Sequence, residues 1–169
     1  TTADSLYLNA TDAEVSNVSY WYDAAPNATT FHPGDGGASN GSGTAYIAYC
    51  FESIEGYSKM GSYSGNGNAD GTFIYTGFRP AYALIKRTDG ANGWPIWDKG
   101  RPGYNVINDI LYAHTSNAAT TGAADDSSIG DFVSNGFKIR GTSSDVNNSS
   151  GTYIYLAFAE SPFKYSNAR

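Results

Sequence analysis

The stretch Gly151-Thr-Tyr-Ile-Tyr-Leu-Ala-Phe-Ala-Glu-Ser161 decides the fold class. From Tyr153 to Ala159 every residue is apolar or aromatic, and the run is bounded by Gly151-Thr152 and Glu160-Ser161. A short run of this kind, rich in aromatic and β-branched residues, reads as a strand covered on both faces. The composition around it points the same way. Charged residues make up only 15% of the 169-residue chain, while there are 20 Gly and 14 Tyr. Globular domains average about 25% charged residues, and the shortage falls on the helix-favouring Lys, Glu and Arg.

The string has an earlier relative in the same chain. GTAYIAYCFES (Gly43 to Ser53) resembles it, with Tyr46-Ile47 and Phe51 matching Tyr153-Ile154 and Phe158 at an offset of 107. Leu6-Tyr7 matches Leu111-Tyr112 at 105, and Phe31 matches Phe137 at 106. Three anchors in one order at nearly one offset define a repeat. The expected organisation is a complete β-sandwich unit over 58–169, preceded at 1–57 by the second half of another unit packed on it. Two forms of this stay open: the end of a longer array, or two pseudo-symmetric parts of one continuous domain, 1–169. Thr1 accordingly reads as a processed end or the start of a piece.

Several classes are excluded. No run approaches 18 apolar residues, so no transmembrane helix and no membrane insertion are expected. Cys50 is the single cysteine, which excludes an internal disulfide framework. A net charge of −6 argues against nucleic acid as a partner. The charge is uneven: residues 1–58 hold seven acids and no base, and all ten Lys and Arg follow, against nine acids.

Strands are predicted at 5–9, 18–23, 45–53, 72–78, 81–87, 94–98, 137–140 and 153–159, joined by Ser/Thr/Asn/Gly-rich connectors. Thr88 to Gly93 clusters turn residues between two of them, as a hairpin requires. Short strands with long turns make this an all-β chain, an antiparallel β-sandwich or jelly roll. The expected core is Leu6, Tyr46, Ile47, Phe51, Ile74, Leu84, Ile96, Phe137, Ile154, Leu156 and Phe158. Tyr104 to Tyr112 is the one helix candidate, from Val106, Ile107, Ile110 and Leu111.

Candidate sites are few. Trp94, Trp97, Lys99, Arg101 and Tyr104 form an aromatic and basic cluster, where rings would stack on sugar C–H faces and polar groups bond hydroxyls. The odd spacing of Trp94 and Trp97 puts them on opposite strand faces, so at most one serves a ligand and core packing competes for both. Asn66-Gly-Asn-Ala-Asp-Gly71 spaces oxygens as calcium loops do, yet lacks the closing Glu and reads as a plain loop. His32 and His114 have no zinc spacing, and neither G-x-S-x-G nor a phosphate loop occurs. Asp125-Asp126 and Asp131 read as a solvated acidic loop, and Cys50 as a buried, inert thiol. No catalytic residue, cofactor or metal is expected. Sequons stand at Asn9, Asn17, Asn27, Asn40, Asn147 and Asn148.

Four further strings carry a family resemblance. A GNG turn leads to Gly77-Phe78-x-Pro80 and on to Lys86, then Trp94-x-x-x-Asp98, then Ser134 to Phe137, then Gly151-Thr-Tyr153 ending in Ala157-Phe-Ala-Glu160. The chain resembles the repeated C-terminal β-domains of large bacteriophage structural proteins, many of them marine. The resemblance implies a lectin-like sandwich in a tail fibre, spike or head decoration on the virion exterior, possessing no enzymatic activity. Its implied partners are other copies of itself, other virion proteins and host-surface glycans. The competing reading is a free-standing carbohydrate-binding module. The charge split adds an expectation of contacts from residues 1–58 of one copy to Lys86, Arg87, Lys99 and Arg101 of the next, weakening as salt rises.

Overall fold

The computed structural model describes residues 3–22, 24–120 and 128–162. The strands, in chain order, are β1 (Asp4–Ser5), β2 (Val15–Ser16), β3 (Ser58–Ser64), β4 (Phe73–Tyr75), β5 (Pro80–Arg87), β6 (Pro95–Asp98), β7 (Leu111–Tyr112), β8 (Gly130–Val133), β9 (Gly136–Ile139) and β10 (Thr152–Ala159). Every strand pairing is antiparallel, and no helix occurs among the described residues. The chain is all-β.

Two sheets share the core, one five-stranded in the order β3-β10-β5-β6-β7 and one three-stranded in the order β4-β9-β8. The quoted string is β10, the strand held between β3 and β5. Its inward residues Tyr153, Tyr155 and Ala157 are buried, as are Ala83 and Ile85 of β5 and Trp97 of β6. Opposite stand Ile74, Phe132, Phe137 and Ile139 of the smaller sheet. Edge-to-face ring contacts cross the interior: Phe137 meets Tyr155 at 5.3 Å and Trp97 at 5.9 Å. Tyr63 stacks on Tyr153 at 4.9 Å. Aromatic pairs in such geometry add about 0.5–1.5 kcal/mol beyond area burial.

The buried tyrosines keep their hydroxyls satisfied. Tyr63 donates to the Val146 carbonyl and Tyr153 to that of Ser144, both at 2.8 Å. Among the described residues no buried side-chain nitrogen or oxygen lacks a partner. Gly61 makes room for this packing, since a Cβ there would meet the Tyr155 ring at 2.9 Å. Gly77, at φ +85°, turns the chain from β4 in one sheet to β5 in the other, in a conformation that glycine adopts without a Cβ penalty.

The structure corrects several expectations. On β10 the face toward the core is the tyrosine face; Ile154 is 39% exposed, and Leu156 and Phe158 are only partly buried on the outer side. Strand side chains alternate, so reading the aliphatic rather than the tyrosine positions as inward inverts the face. Leu84 and Ile96 sit on that outer side for the same reason, at half-burial. Ile74 and Phe137 are in the core as expected, while Leu6 is only half-buried.

Residues 45–53 form no strand, and Tyr46, Ile47 and Phe51 are exposed. Within this chain the place between β3 and β5 is filled by β10, so the earlier copy of the string has no pair of strands to enter. Cys50 is exposed with it. Tyr104 to Tyr112 is not helical: Ile107 bridges Gly130, Ile110 bridges Thr120, and both isoleucines are fully buried. Single-residue bridging to two different partners sets these side chains inward without a helical repeat. At 18–23 only Trp21 pairs, with Pro33, and residue 23 lies outside the described residues. The short β2, β7 and β8 and the seven-residue β3 were not anticipated.

Candidate functional site

The outer side of the five-stranded sheet carries a concave surface. Its floor is built from alternate residues of three adjacent strands: Met60 and Ser62 of β3, Ile154 and Leu156 of β10, Leu84 and Lys86 of β5. Pairing puts Met60, Leu156, Leu84 and Ile96 in one row across the sheet. Trp94 and Phe51 complete the lining of a groove of about 570 Å³. Ligand clefts fall between about 300 and 1,000 Å³ and are mostly apolar with a few fixed polar groups.

Lys86 lines the groove beside Trp94, its ammonium 5.9 Å from the centre of that ring. It is fully buried, and its ammonium donates to the carbonyls of Thr11 (3.2 Å), Gly90 (3.4 Å) and Asn92 (3.0 Å). Three donors meet three acceptors, which is what keeps a buried lysine tolerable. Burial holds its pKa below the ordinary lysine value, partly offset by Asp145 and Asp12. The amine therefore fastens the N-terminal segment to the β5–β6 loop.

The five predicted residues separate. Trp97 belongs to the core, 0% exposed, with its indole N–H on the Ser128 carbonyl at 2.8 Å. Trp94 lies on the opposite side of the strand, as the odd spacing implies, and its indole N–H is shared between the carbonyls of Tyr7 and Ala10, both at 3.0 Å. At 8% exposed it walls the groove without offering an open stacking platform. Lys99 pairs with Glu160, and Arg101 with Asp98 at 2.5 Å. Tyr104, 77% exposed, is the one ring of the five open to solvent.

The basic residues expected to meet a neighbouring copy are engaged within the chain. Besides Lys86, Lys99 and Arg101, Arg87 pairs with Asp89 at 2.8 Å, and the bond holds the Asp89 carboxyl below its usual pKa. Lys99 lowers Glu160 in the same way. A charge already paired at close range has little field left for a distant partner.

Other predicted features are placed as follows. In the 66–71 loop the Asn66 and Asn68 side chains each accept from the backbone N–H two residues on, and Asp70 pairs with Lys138 at 2.7 Å. These are turn-forming bonds. Asn147 is fully buried, donating to the Asn68 and Gly141 carbonyls and accepting from Asn66 N–H, so that sequon is closed to modification in the folded chain. His114 accepts at Nδ1 from Trp94 N–H. His32 lines a small cavity with Trp21 and Phe31. Asp131 is buried and paired with Arg140 at 2.6 Å, whereas Asp125 and Asp126 lie outside the described residues. Among the described residues no group of three His, Cys, Asp or Glu side chains converges to hold a metal ion.

A family model described as a domain of unknown function, DUF7483, matches residues 1–162. The chain belongs to that family. No curated protein and no solved structure shows significant similarity to it. The match takes in residues 3–57 as well as both sheets, so the N-terminal segment is part of the DUF7483 domain. That segment lies over the outer face: Thr11 on Lys86, Glu14 N–H on the Thr88 carbonyl at 2.8 Å, and Phe51 on Phe158 at 6.1 Å. The groove is what it leaves uncovered. No sequence signal marked the groove, because the alternation that builds it was read with its faces reversed.

Proposed function

We propose that this chain is a non-enzymatic structural module of a bacteriophage virion exterior, of the tail-fibre, spike or head-decoration type, acting through contacts with other copies and other virion proteins. The observation that carries the reading is the apolar outer surface. Ile47 and Tyr49 are each 80% exposed and Phe51 61%, beside a groove floored by Met60, Leu84, Ile154 and Leu156. Contiguous apolar surface of this kind marks an interaction site and is uncommon on free-standing monomers. The family resemblance of the Gly77-Phe78-x-Pro80, Trp94-x-x-x-Asp98 and C-terminal strings supports the virion setting. Quantitative mass spectrometry of particles purified from the native source tests it. The expected result is a fixed, symmetric copy number per particle; recovery only as free protein overturns it.

A carbohydrate-binding role is the second reading, favoured by Tyr104, which presents an exposed ring on the loop that carries Lys99 and Arg101. It predicts retention on a glycan column that Tyr104→Ala abolishes.

A further inference from the structure

The segment 44–53 stands outside all the strands. It repeats the sequence of β10, runs without a turn or bend, and pairs with no strand. No charged residue stands between Asp35 and Glu52. Both ends are fixed. The Tyr46 hydroxyl donates to the Gly37 carbonyl at 2.5 Å and accepts from Gly41 N–H at 2.8 Å. At the other end Ser58 Oγ donates to the Glu52 carbonyl, and Ser53 Oγ accepts from Met60 N–H. The segment is thus a ribbon tied at two points, with Ile47, Tyr49 and Phe51 bared along it.

The ribbon adjoins the groove, and Phe51 belongs to both: it is bared on the ribbon, walls the groove and packs edge-on against Phe158. A convex apolar strip beside a concave apolar floor is a self-complementary patch. That is the requirement for an isologous contact, in which the same surface serves both partners about a two-fold axis.

We infer that two copies of this chain associate about a two-fold axis near Phe51, the Ile47–Tyr49 ribbon of each seated in the Met60–Leu84–Ile154–Leu156 groove of the other. At roughly 200 Å² for a fully bared large side chain, the exposed fractions of Tyr46, Ile47, Tyr49 and Phe51 amount to on the order of 500 Å². Stable interfaces bury about 800 Å² per partner, so the ribbon supplies more than half and the groove the remainder. The uncharged ribbon agrees with the depletion of charge at interface centres. The inference specifies the self-contact of the assembly proposed above and rests on that reading for its biological setting.

The test uses the full chain. Light scattering over a concentration series should give a dimer. The double variant Ile47→Asp/Tyr49→Asp and the single variant Ile154→Asp should each weaken association at least tenfold, with Val18→Asp, at another exposed apolar position, unchanged. Because Ile154→Asp alters a strand, near-ultraviolet dichroism accompanies it, and the ribbon variant stands alone if that strand variant misfolds. Pyrene maleimide on Cys50, the native sole cysteine, gives an independent readout. Copies meeting near Phe51 bring two pyrenes together, and excimer emission should rise with concentration and disappear in the ribbon variant when Cys50 is labelled there. A chain that associates equally well with the ribbon altered overturns the inference and leaves the assembly reading standing. A chain that stays monomeric overturns the inference, while particle copy number still decides that reading separately.

Discussion

Tyr63 shows how one residue links packing to pH. It is buried, stacked on Tyr153, and bonded through its hydroxyl to the Val146 carbonyl, and burial raises its pKa well above the ordinary tyrosine value. In the unfolded chain the phenol ionises near its ordinary value, whereas in the fold it holds its proton. Above about pH 10 the unfolded state therefore binds fewer protons than the native state, and stability falls as pH rises. Tyr153 and Tyr155 shift in the same direction through burial. The measurement is unfolding free energy by denaturant titration from neutral to alkaline pH. We predict a decline beginning near pH 10 that is shallower in Tyr63→Phe, a variant that itself costs about 1 kcal/mol at neutral pH for the lost hydrogen bond. On the acid side Asp70, Asp89 and Glu160 have lowered pKa values from Lys138, Arg87 and Lys99. Their contribution is present above the ordinary carboxyl range and is lost as pH falls through the depressed folded values. All three carboxylates are exposed to screening, so added salt should diminish this acid loss.

At the scale of the element, β10 was legible as a strand while its faces were not. A near-continuous apolar run identifies a strand covered on both sides, but it carries no alternation to say which side is the core. In the structure the hydroxyls of Tyr153 and Tyr63 reach backbone carbonyls, so the rings bury with their polar atoms satisfied. The β5–β6 hairpin was legible because Thr88 to Gly93 is a dense turn signal between two apolar runs. β3 was not, because Ser58-Lys-Met-Gly-Ser-Tyr-Ser64 has little apolar content and becomes a strand by pairing along β10. Of the site, the odd spacing of Trp94 and Trp97 was legible as putting them on opposite strand faces, without telling which of the two belongs to the core. The groove that Trp94 walls depends on three strands aligned in register, which no local string encodes.

The two faces make a quantitative contrast. Phe137→Ala, at a fully buried position, should cost about 3–5 kcal/mol. Ile154→Ala, on the outer face, should cost less than about 1.5 kcal/mol, since much of that side chain is already solvated. Chemical denaturation of both variants checks this, and equal losses would mean the faces are assigned wrongly. Gly130 offers a second check on the core. A Cβ there would enter the Trp97 ring and crowd the Lys138 carbonyl, so Gly130→Val should destabilise by about 1–3 kcal/mol, as overpacking does.

At the scale of the whole molecule, the core between the two sheets is closely packed while the outer surface stays open. The two sheets bury their facing rings, and among the described residues every buried side-chain nitrogen and oxygen has a partner, while one side carries a bared ribbon and an open groove. The charge split visible in the sequence suggested that copies attract through opposite charge. The structure engages Lys86, Arg87, Lys99 and Arg101 within the chain, so the proposed association rests on apolar surface instead. The two mechanisms respond oppositely to salt. Ionic contacts fade as the Debye length falls from about 10 Å at 0.1 M to about 3 Å at 1 M, whereas apolar contacts persist. Sedimentation velocity of the full chain at those two ionic strengths, over a range of concentrations, is the most direct test. The account predicts concentration-dependent association that is as strong at about 1 M salt as at about 0.1 M. A monomer under both conditions, or association that disappears at high salt, would contradict it.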